Sequence, residues 1–382
     1  MTIHICRNLI SLSFKTQNPL APNKHHNIST LFSLFFFSSS SGRDPSNSSI
    51  SLSEYLLSHH QFSPETVAKF SPWKLLKNPE KSDSMVSFLK ENGFSKTHLE
   101  VIIKHVPNIL TANLDHTIKP KIKILRDSGF SSSDIADIIS ADPWILMRSA
   151  DNQLGPSILA LKSVLGSNAG VVRVLKICGW FLKCDLEKTM VPNVEFLKSC
   201  GISSPQIVKF VYNFPRLFLH KPESMRELVR RVDEMGMDRK SHAFLQGIRT
   251  MSSMSLENWE LKLELFRRLG FSEDDIVSAF KRSPQTFAVS ERKIKEVTQV
   301  LLGNGRLDIS LIVSQPQLLL FSVESRLKPR LRIVEVLESK NLLTKKFSMS
   351  TICKISNKKF LDKFVLPYSD VVGKLYIPNA IS

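Results

Sequence analysis

A Gly-Phe-Ser tripeptide, or a near copy of it, returns about every 35 residues along this chain. About 14 residues after each comes a Pro-x-x-Leu/Phe motif. The first element reads Gly93-Phe94-Ser95, Gly129-Phe130-Ser131, Gly201-Ile202-Ser203, Gly236-Met237-Asp238 and Gly270-Phe271-Ser272, with Gln61-Phe62-Ser63 as a degenerate earlier copy. The second element opens at Pro107, Pro143, Pro215, Pro284 and Pro316, and Gly179-Trp180-Phe181-Leu182 falls in register with glycine in place of proline. Two signals locked to one period of this length mean stacked supersecondary units. The 382 residues are therefore expected to form one array whose units touch only their neighbours, not a string of separate globular domains.

Residues 117–148 show how one unit is written. Pro120 suits a first helical turn, where its missing N–H is not needed, and Ile118, Ile122 and Leu125 follow at helical spacing. Gly129 ends that helix as the residue best able to turn left-handed. Ser131-Ser-Ser-Asp134 then offers an N-cap with a carboxylate in the first turn, before the stripe Ile135, Ile138, Ile139. Asp142 precedes Pro143 and is pushed out of the helical region, so the second helix stops and a short turn of 3₁₀ helix follows. Other copies keep the stripes, as in Leu99/Ile102/Ile103 and Met225/Leu228/Val229/Val232. No alternating β-branched runs bounded by hairpin turns occur, so strands have no support. The fold expected is all-α: a solenoid, right- or left-handed, of about eight helix–helix–3₁₀ repeats of about 35 residues. The repeat prolines and aromatics are read first as helix stops and core.

Charge narrows the partner. Fifty-two Lys+Arg against 35 Asp+Glu leave a formal +17, which favours a polyanion: nucleic acid first, an anionic membrane surface second. No apolar run approaches the ~20 residues of a membrane helix, so no membrane insertion is expected. Residues 1–43 contain no acid, four basic residues (Arg7, Lys15, Lys24, Arg43), many hydroxyl residues and a Phe-rich patch, which is the composition of an organellar transit peptide. A secretory signal fits less well, because Pro19, Pro22 and His25-His26 separate the basic start from the apolar patch. The amphipathic, Arg-containing start leans mitochondrial, with the chloroplast as alternative. The expected organisation is a transit peptide over 1–45, the array over 46–340 and a basic tail or cap over 341–382.

The combination of Gly-Phe-Ser, a second helix and Pro-x-x-Leu/Phe at this period resembles the mitochondrial transcription termination factor (mTERF) family, in particular its plant branch. The likeness covers about residues 50–340 and includes the entry segment Pro79-Glu80-Lys81-Ser82-Asp83 and the repeat end Pro215-Arg216-Leu217-Phe218. The resemblance implies a helical array curved into a half-superhelix, with a basic concave groove for double-stranded nucleic acid. It also implies an organellar role in transcription termination or regulation, or in intron splicing. Three copies depart from the pattern, near Gly179, near Thr250-Met251 and at Gly303-Asn-Gly305.

Basic residues concentrate on the first helices, and stacking would align several along one edge. The candidate phosphate contacts are Arg326, Lys328, Arg330 and Arg332, in a segment with four cations and no acid, together with Arg292, Lys293, Arg230, Arg231, Lys121 and Lys123. Arg216, just after a repeat proline, is a further candidate. A solvated helix face is the competing reading for each, since Lys and Arg are good exposed helix formers. Five cysteines without a CxxC pair, and no His at finger spacing, argue against a disulfide scaffold or a zinc site. No phosphate loop, HExxH or Gly-x-Ser-x-Gly occurs, so no cofactor and no enzymatic activity are expected. A monomer that binds organellar duplex DNA or structured RNA is the leading reading. The rivals are a single-stranded RNA binder of the pentatricopeptide type and a protein-interaction solenoid of the HEAT or tetratricopeptide type.

Overall fold

The computed structural model describes residues 50–375, apart from 71–74, 77, 304–307, 344 and 346; the expected transit peptide lies outside the described residues. Helices α1 (Leu52–Ser58) and α2 (Pro64–Val67) open the array. They are followed by the pairs α3 (Pro79–Glu91) and α4 (Lys96–His105), α5 (Lys119–Asp127) and α6 (Ser132–Ala141), α7 (Gly155–Leu165) and α8 (Asn168–Ile177), and α9 (Met190–Ser199) and α10 (Ser204–Asn213). The second half holds α11 (Pro222–Glu234) and α12 (Phe244–Ser252), α13 (Leu256–Arg268) and α14 (Glu273–Arg282), α15 (Glu291–Leu302) and α16 (Ile309–Ser314), and α17 (Lys328–Ser339) and α18 (Met349–Lys354). The expected all-α solenoid is what forms, and among the described residues there is no strand, only one isolated bridge between Ser51 and Leu75. A continuous core runs from Leu52 to Cys353.

Each letter of Gly-Phe-Ser has a separate physical task. Gly93, Gly129, Gly201 and Gly270 sit at φ +91°, +80°, +87° and +94°, in the left-handed region. There the glycine N–H bonds back three residues and the next N–H bonds back five, as in Gly93 N–H to Lys90 (3.0 Å) and Phe94 N–H to Leu89 (3.1 Å). This is the Schellman closure, which satisfies carbonyls the helix end would leave bare and brings the following apolar residue onto the helix. Phe94, Phe130, Ile202 and Phe271 are accordingly buried. The serine then caps the next helix: the Ser131 hydroxyl accepts from the Asp134 N–H at 3.1 Å, and the Ser272 hydroxyl from that of Asp275 at 3.2 Å.

A left-handed residue recurs where the tripeptide is absent, though at Gly166 the N–H bonds back four residues, to Lys162 (2.8 Å), and not three. Gly166 (φ +75°) supplies the copy between Gly129 and Gly201, with Ser167 as cap directly behind it. Gln61 (φ +54°) and Asn341 (φ +56°) take the glycine position without being glycine.

The second motif closes each pair. The residue ahead of the turn has left the helical region in Val106, Asp142, Phe214, Ser283 and Gln315, with ψ between 57° and 85°, and five-residue 3₁₀ turns follow at Pro107–Thr111, Pro143–Met147, Pro215–Leu219, Pro284–Ala288 and Pro316–Leu320. Gly179–Leu182 adopts the same turn without proline, because its position is pressed against the preceding repeat. A Cβ on Gly179 would stand 2.4 Å from that of Asp142, whose carboxylate is bound by Lys183 at 2.5 Å with both side chains 13% exposed.

Pro120 stands in the opening turn of α5, as expected, and so do Pro156 in α7 and Pro329 in α17. What the sequence did not announce is a π turn leading into each of them, at Leu114–Ile118, Ala150–Leu154 and Val323–Leu327. A proline ring clashes with the carbonyl four residues back in a regular helix, and the wider turn relieves that clash. Asp238 does not cap a helix as expected from its register. The chain turns at Asp238–Ser241, α12 starts only at Phe244, and no 3₁₀ turn follows it. Residues 304–307 of the Gly303 copy lie outside the described residues, and Gly303 itself is right-handed.

First-helix side chains tie down the turn carbonyls that the 3₁₀ segments leave open. Ser82 donates to Leu110 (3.1 Å), Asn193 to His220 (2.7 Å), Lys262 to Val289 (2.5 Å) and Lys293 to Leu320 (2.9 Å). At the end of the array Arg330 donates to Ile352 and Ile355, and behind it a second core forms where Ile333, Val334 and Leu337 meet Ile352, Phe360 and Phe364. That core includes α19 (Asn357–Phe360) and α20 (Ser369–Val372), so the C-terminal segment covers the last repeat.

Two predictions follow from these contacts. A Cβ at Gly201 meets nothing within 4 Å, so Gly201→Ala carries only the left-handed strain and lowers stability by about 1 kcal/mol in urea denaturation. Gln61→Gly shifts the same midpoint upward, because it relieves that strain. The second concerns acid. His60 has a side chain 8% exposed with Nδ1 unbonded, and burial, aided by Lys90 and His59 and opposed by Asp83, holds its pKa below the ordinary value. Burial lowers His220 likewise. The unfolded chain therefore takes up these protons more readily, so their contribution is present above about pH 6.5 and is lost as pH falls through that value toward the lower folded one. The melting temperature at pH 5 is expected below that at pH 7.5, and His60→Gln with His220→Gln narrows the gap.

Candidate nucleic-acid interface

The cations expected on the first helices are present, but most are already occupied. Arg330 is only 2% exposed; its guanidinium serves the carbonyls of Ile352, Cys353 and Ile355 and the Asn357 side chain. Arg326 donates to Cys353, Lys354 and Ile355 at 2.8–3.0 Å and lies 4.4 Å from the Phe321 ring centroid. Lys121 is buried and donates to the Thr117 carbonyl, and Lys293 is held by Leu320. Burial lowers the pKa of Lys121, Lys293 and Arg326, as expected for cations taken out of water. These four hold backbone in place and are not available to phosphates, which corrects the expectation for 325–334 as a free basic stretch.

The exposed first-helix cations mostly have acids one turn away. Lys123 pairs with Asp127 (2.5 Å), Lys328 with Glu324 (2.5 Å) and Arg292 with Glu296 (2.8 Å), and Arg230 is gripped by Glu227 and Glu234. Such pairs add little stability, yet they neutralise the helix face locally. Arg231 lies 5.8 Å from the Trp259 ring, with one guanidinium nitrogen buried and unbonded. Of the first-helix candidates, Arg332 remains exposed with no partner among the described residues.

A different edge carries unneutralised charge. The second helices stand in a row, joined sideways. Asp137 of α6 takes His98 of α4 at 3.4 Å and Lys176 of α8 at 2.6 Å. Arg173 of α8 lies 4.4 Å from the Tyr212 ring of α10, a closeness that Gly170 permits, since a Cβ there would stand 2.5 Å from the Tyr212 hydroxyl. Arg249 of α12 lies 4.5 Å from the Phe214 ring. Helices α8, α10 and α12 contain cations and no acid. Lys176 in a last turn is accounted for by the helix dipole. Arg173 and Lys209 are not in last turns, are exposed, and form no ion pair among the described residues. Arg216 joins this edge, exposed, 5.5 Å from the Trp180 ring centroid.

Arg173 and Lys209 were missing from the sequence candidates because cations were counted without the acids three and four residues away. Scoring that balance would have moved attention from α15 and α17 to α8 and α10.

Among the described residues no cluster of His, Cys, Asp or Glu could hold a metal, and Cys178, Cys184, Cys200 and Cys353 are free thiols. No single described helix is long and apolar enough to cross a membrane. No curated protein matches the chain as a whole. The mTERF family model matches residues 54–241 and 248–361, the break falling where the second helix of the irregular repeat begins. With its helix–helix–3₁₀ repeats matched over most of its length, the chain belongs to the mTERF family, whose members are helical-repeat nucleic-acid-binding proteins.

Proposed function

We propose that this protein is an organellar regulator of gene expression that binds double-stranded DNA through the second-helix edge, acting on transcription termination or on intron splicing. The observation that carries the reading is the run of acid-free second helices, α8, α10 and α12, with Arg173 and Lys209 exposed on the first two and Arg216 exposed in the 3₁₀ turn that follows α10. A duplex offers regularly spaced phosphates, and a stacked array offers regularly spaced cations. Contacts of that kind position a protein on the backbone without reading bases, so modest sequence preference is expected. The acid-free, hydroxyl-rich residues 1–43 support import, with the mitochondrion preferred over the chloroplast.

The reading is tested by titrating the full chain onto duplex DNA across a salt series. Each phosphate contact contributes a slope of about −0.9 in log K against log salt. Replacing Arg173, Lys209 and Arg216 with Gln is expected to weaken binding and to flatten the slope by about 2.7. Replacing Lys123, Arg230 and Arg292, which are already paired, leaves it nearly unchanged. The opposite pattern would return the interface to the first helices. In cells lacking the protein, read-through transcripts indicate termination, and unspliced introns indicate splicing.

A further inference from the structure

In each five-residue 3₁₀ turn, and in Gly179–Leu182, the second residue is more exposed than the buried third and fourth. In Pro143–Met147, Gly179–Leu182 and Pro215–Leu219 the first, third and fourth residues are buried while the second is exposed. The fold does not choose its occupant: the second residue is Asn108, Arg216, Gln285 or Gln317 elsewhere. In two consecutive repeats it is tryptophan, with Trp144 52% and Trp180 50% exposed. Tryptophan gains stability by burial, so two indoles held half in water at a site that tolerates Asn or Gln are not explained by packing.

Their surroundings indicate what would cover them. Lys183 stands 5.1 Å and Arg216 5.5 Å from the Trp180 ring centroid, and exposed Arg148 follows the Trp144 turn. Lys183 is spent on the Asp142 carboxylate, which leaves Arg216 and Arg148 as the exposed cations at these turns. Half-exposed indoles beside such cations match an aromatic base joined to a phosphate. In a duplex the base faces are stacked on each other and closed to the protein, so indoles gain nothing there.

We propose that Trp144 and Trp180, with the exposed Arg148 and Arg216 at their turns, form a stacking subsite for unpaired nucleotides of a single-stranded nucleic acid. This rests on the nucleic-acid reading above and extends it: the edge that grips duplex phosphates would also hold a strand opened from that duplex or from structured RNA. Stacking recognises any base, so the subsite adds affinity for unpaired strand with little sequence preference.

The test measures binding of the full chain to a labelled single-stranded RNA, a single-stranded DNA and the duplex of the same sequence at one salt concentration. Trp144→Ala with Trp180→Ala is expected to weaken single-strand binding about 30-fold or more, the lower limit for losing two stacked bases. Duplex binding is expected to change less than about threefold, the ratio being set by stacking and not by charge. Trp144→Phe with Trp180→Phe keeps an aromatic face and retains most of the affinity. Each indole is half buried, so the alanine variant is expected to melt somewhat lower and is assayed well below that temperature; equal loss on all three probes would overturn the proposal. So would unchanged single-strand affinity in the alanine variant. Duplex binding without any single-strand binding by the native chain refutes this subsite alone, whereas absence of binding to all three probes refutes it together with the proposed function. RNA and DNA strands are compared to show whether the 2′-hydroxyl contributes.

Discussion

The left-handed residue that closes all but one of the first helices, α15 with its right-handed Gly303 being the exception, is the constraint on which the rest depends. It reverses the chain in one step, satisfies the exposed carbonyls, and drops the next side chain into the core as the following residue caps a new helix. Because the reversal is so short, the two helices of a unit must pack against each other, and their joint apolar face can be covered only by the next unit. Gly129 shows how closely the units then approach: Asn168 of the next repeat donates to its carbonyl at 2.9 Å. A longer or looser turn would free the pair and break the stack.

The charge on this protein divides by task. On the first helices cations are consumed in two ways, by turn carbonyls when buried and by acids one turn away when exposed. Burying Arg330 is tolerated because its guanidinium finds carbonyl acceptors at every donor direction the packing offers, whereas an unpaired buried charge would be costly. On the second helices the sideways contacts are carboxylate pairs at Asp137 of α6, and from α8 onward cations lying over aromatic rings, Arg173 over Tyr212 and Arg249 over Phe214. A ring does not cancel a charge as a carboxylate does, so the same side chain can join two repeats and still present positive potential to a polyanion. This is why a count of lysines and arginines does not show which of them remain unpaired.

Much of the fold was legible in the letters. Glycine with a following apolar residue and serine marks a closure that few other sequences make, and proline after a polar residue marks a stop. The missed copy at Gly166 lacks the phenylalanine, and Gln61 and Asn341 reach the left-handed region without glycine, so a pattern search on letters passes over geometry that the backbone keeps. The π turns ahead of Pro120, Pro156 and Pro329 were not legible, since they depend on where the ring meets a carbonyl in the preceding turn. The candidate site was less legible than the fold, because whether a cation is spent depends on partners that are distant in sequence.

By itself the sequence determined the period, the helical class, the capping of each unit and the net positive charge, because those follow from local steric and hydrogen-bonding preferences and from composition. The tertiary structure decided which cations are buried against carbonyls 22–29 residues away, why Gly179 must lack a side chain, and that two tryptophans face solvent in adjacent turns. Those outcomes require one repeat to meet the next, and stacking distance is not encoded at any single position.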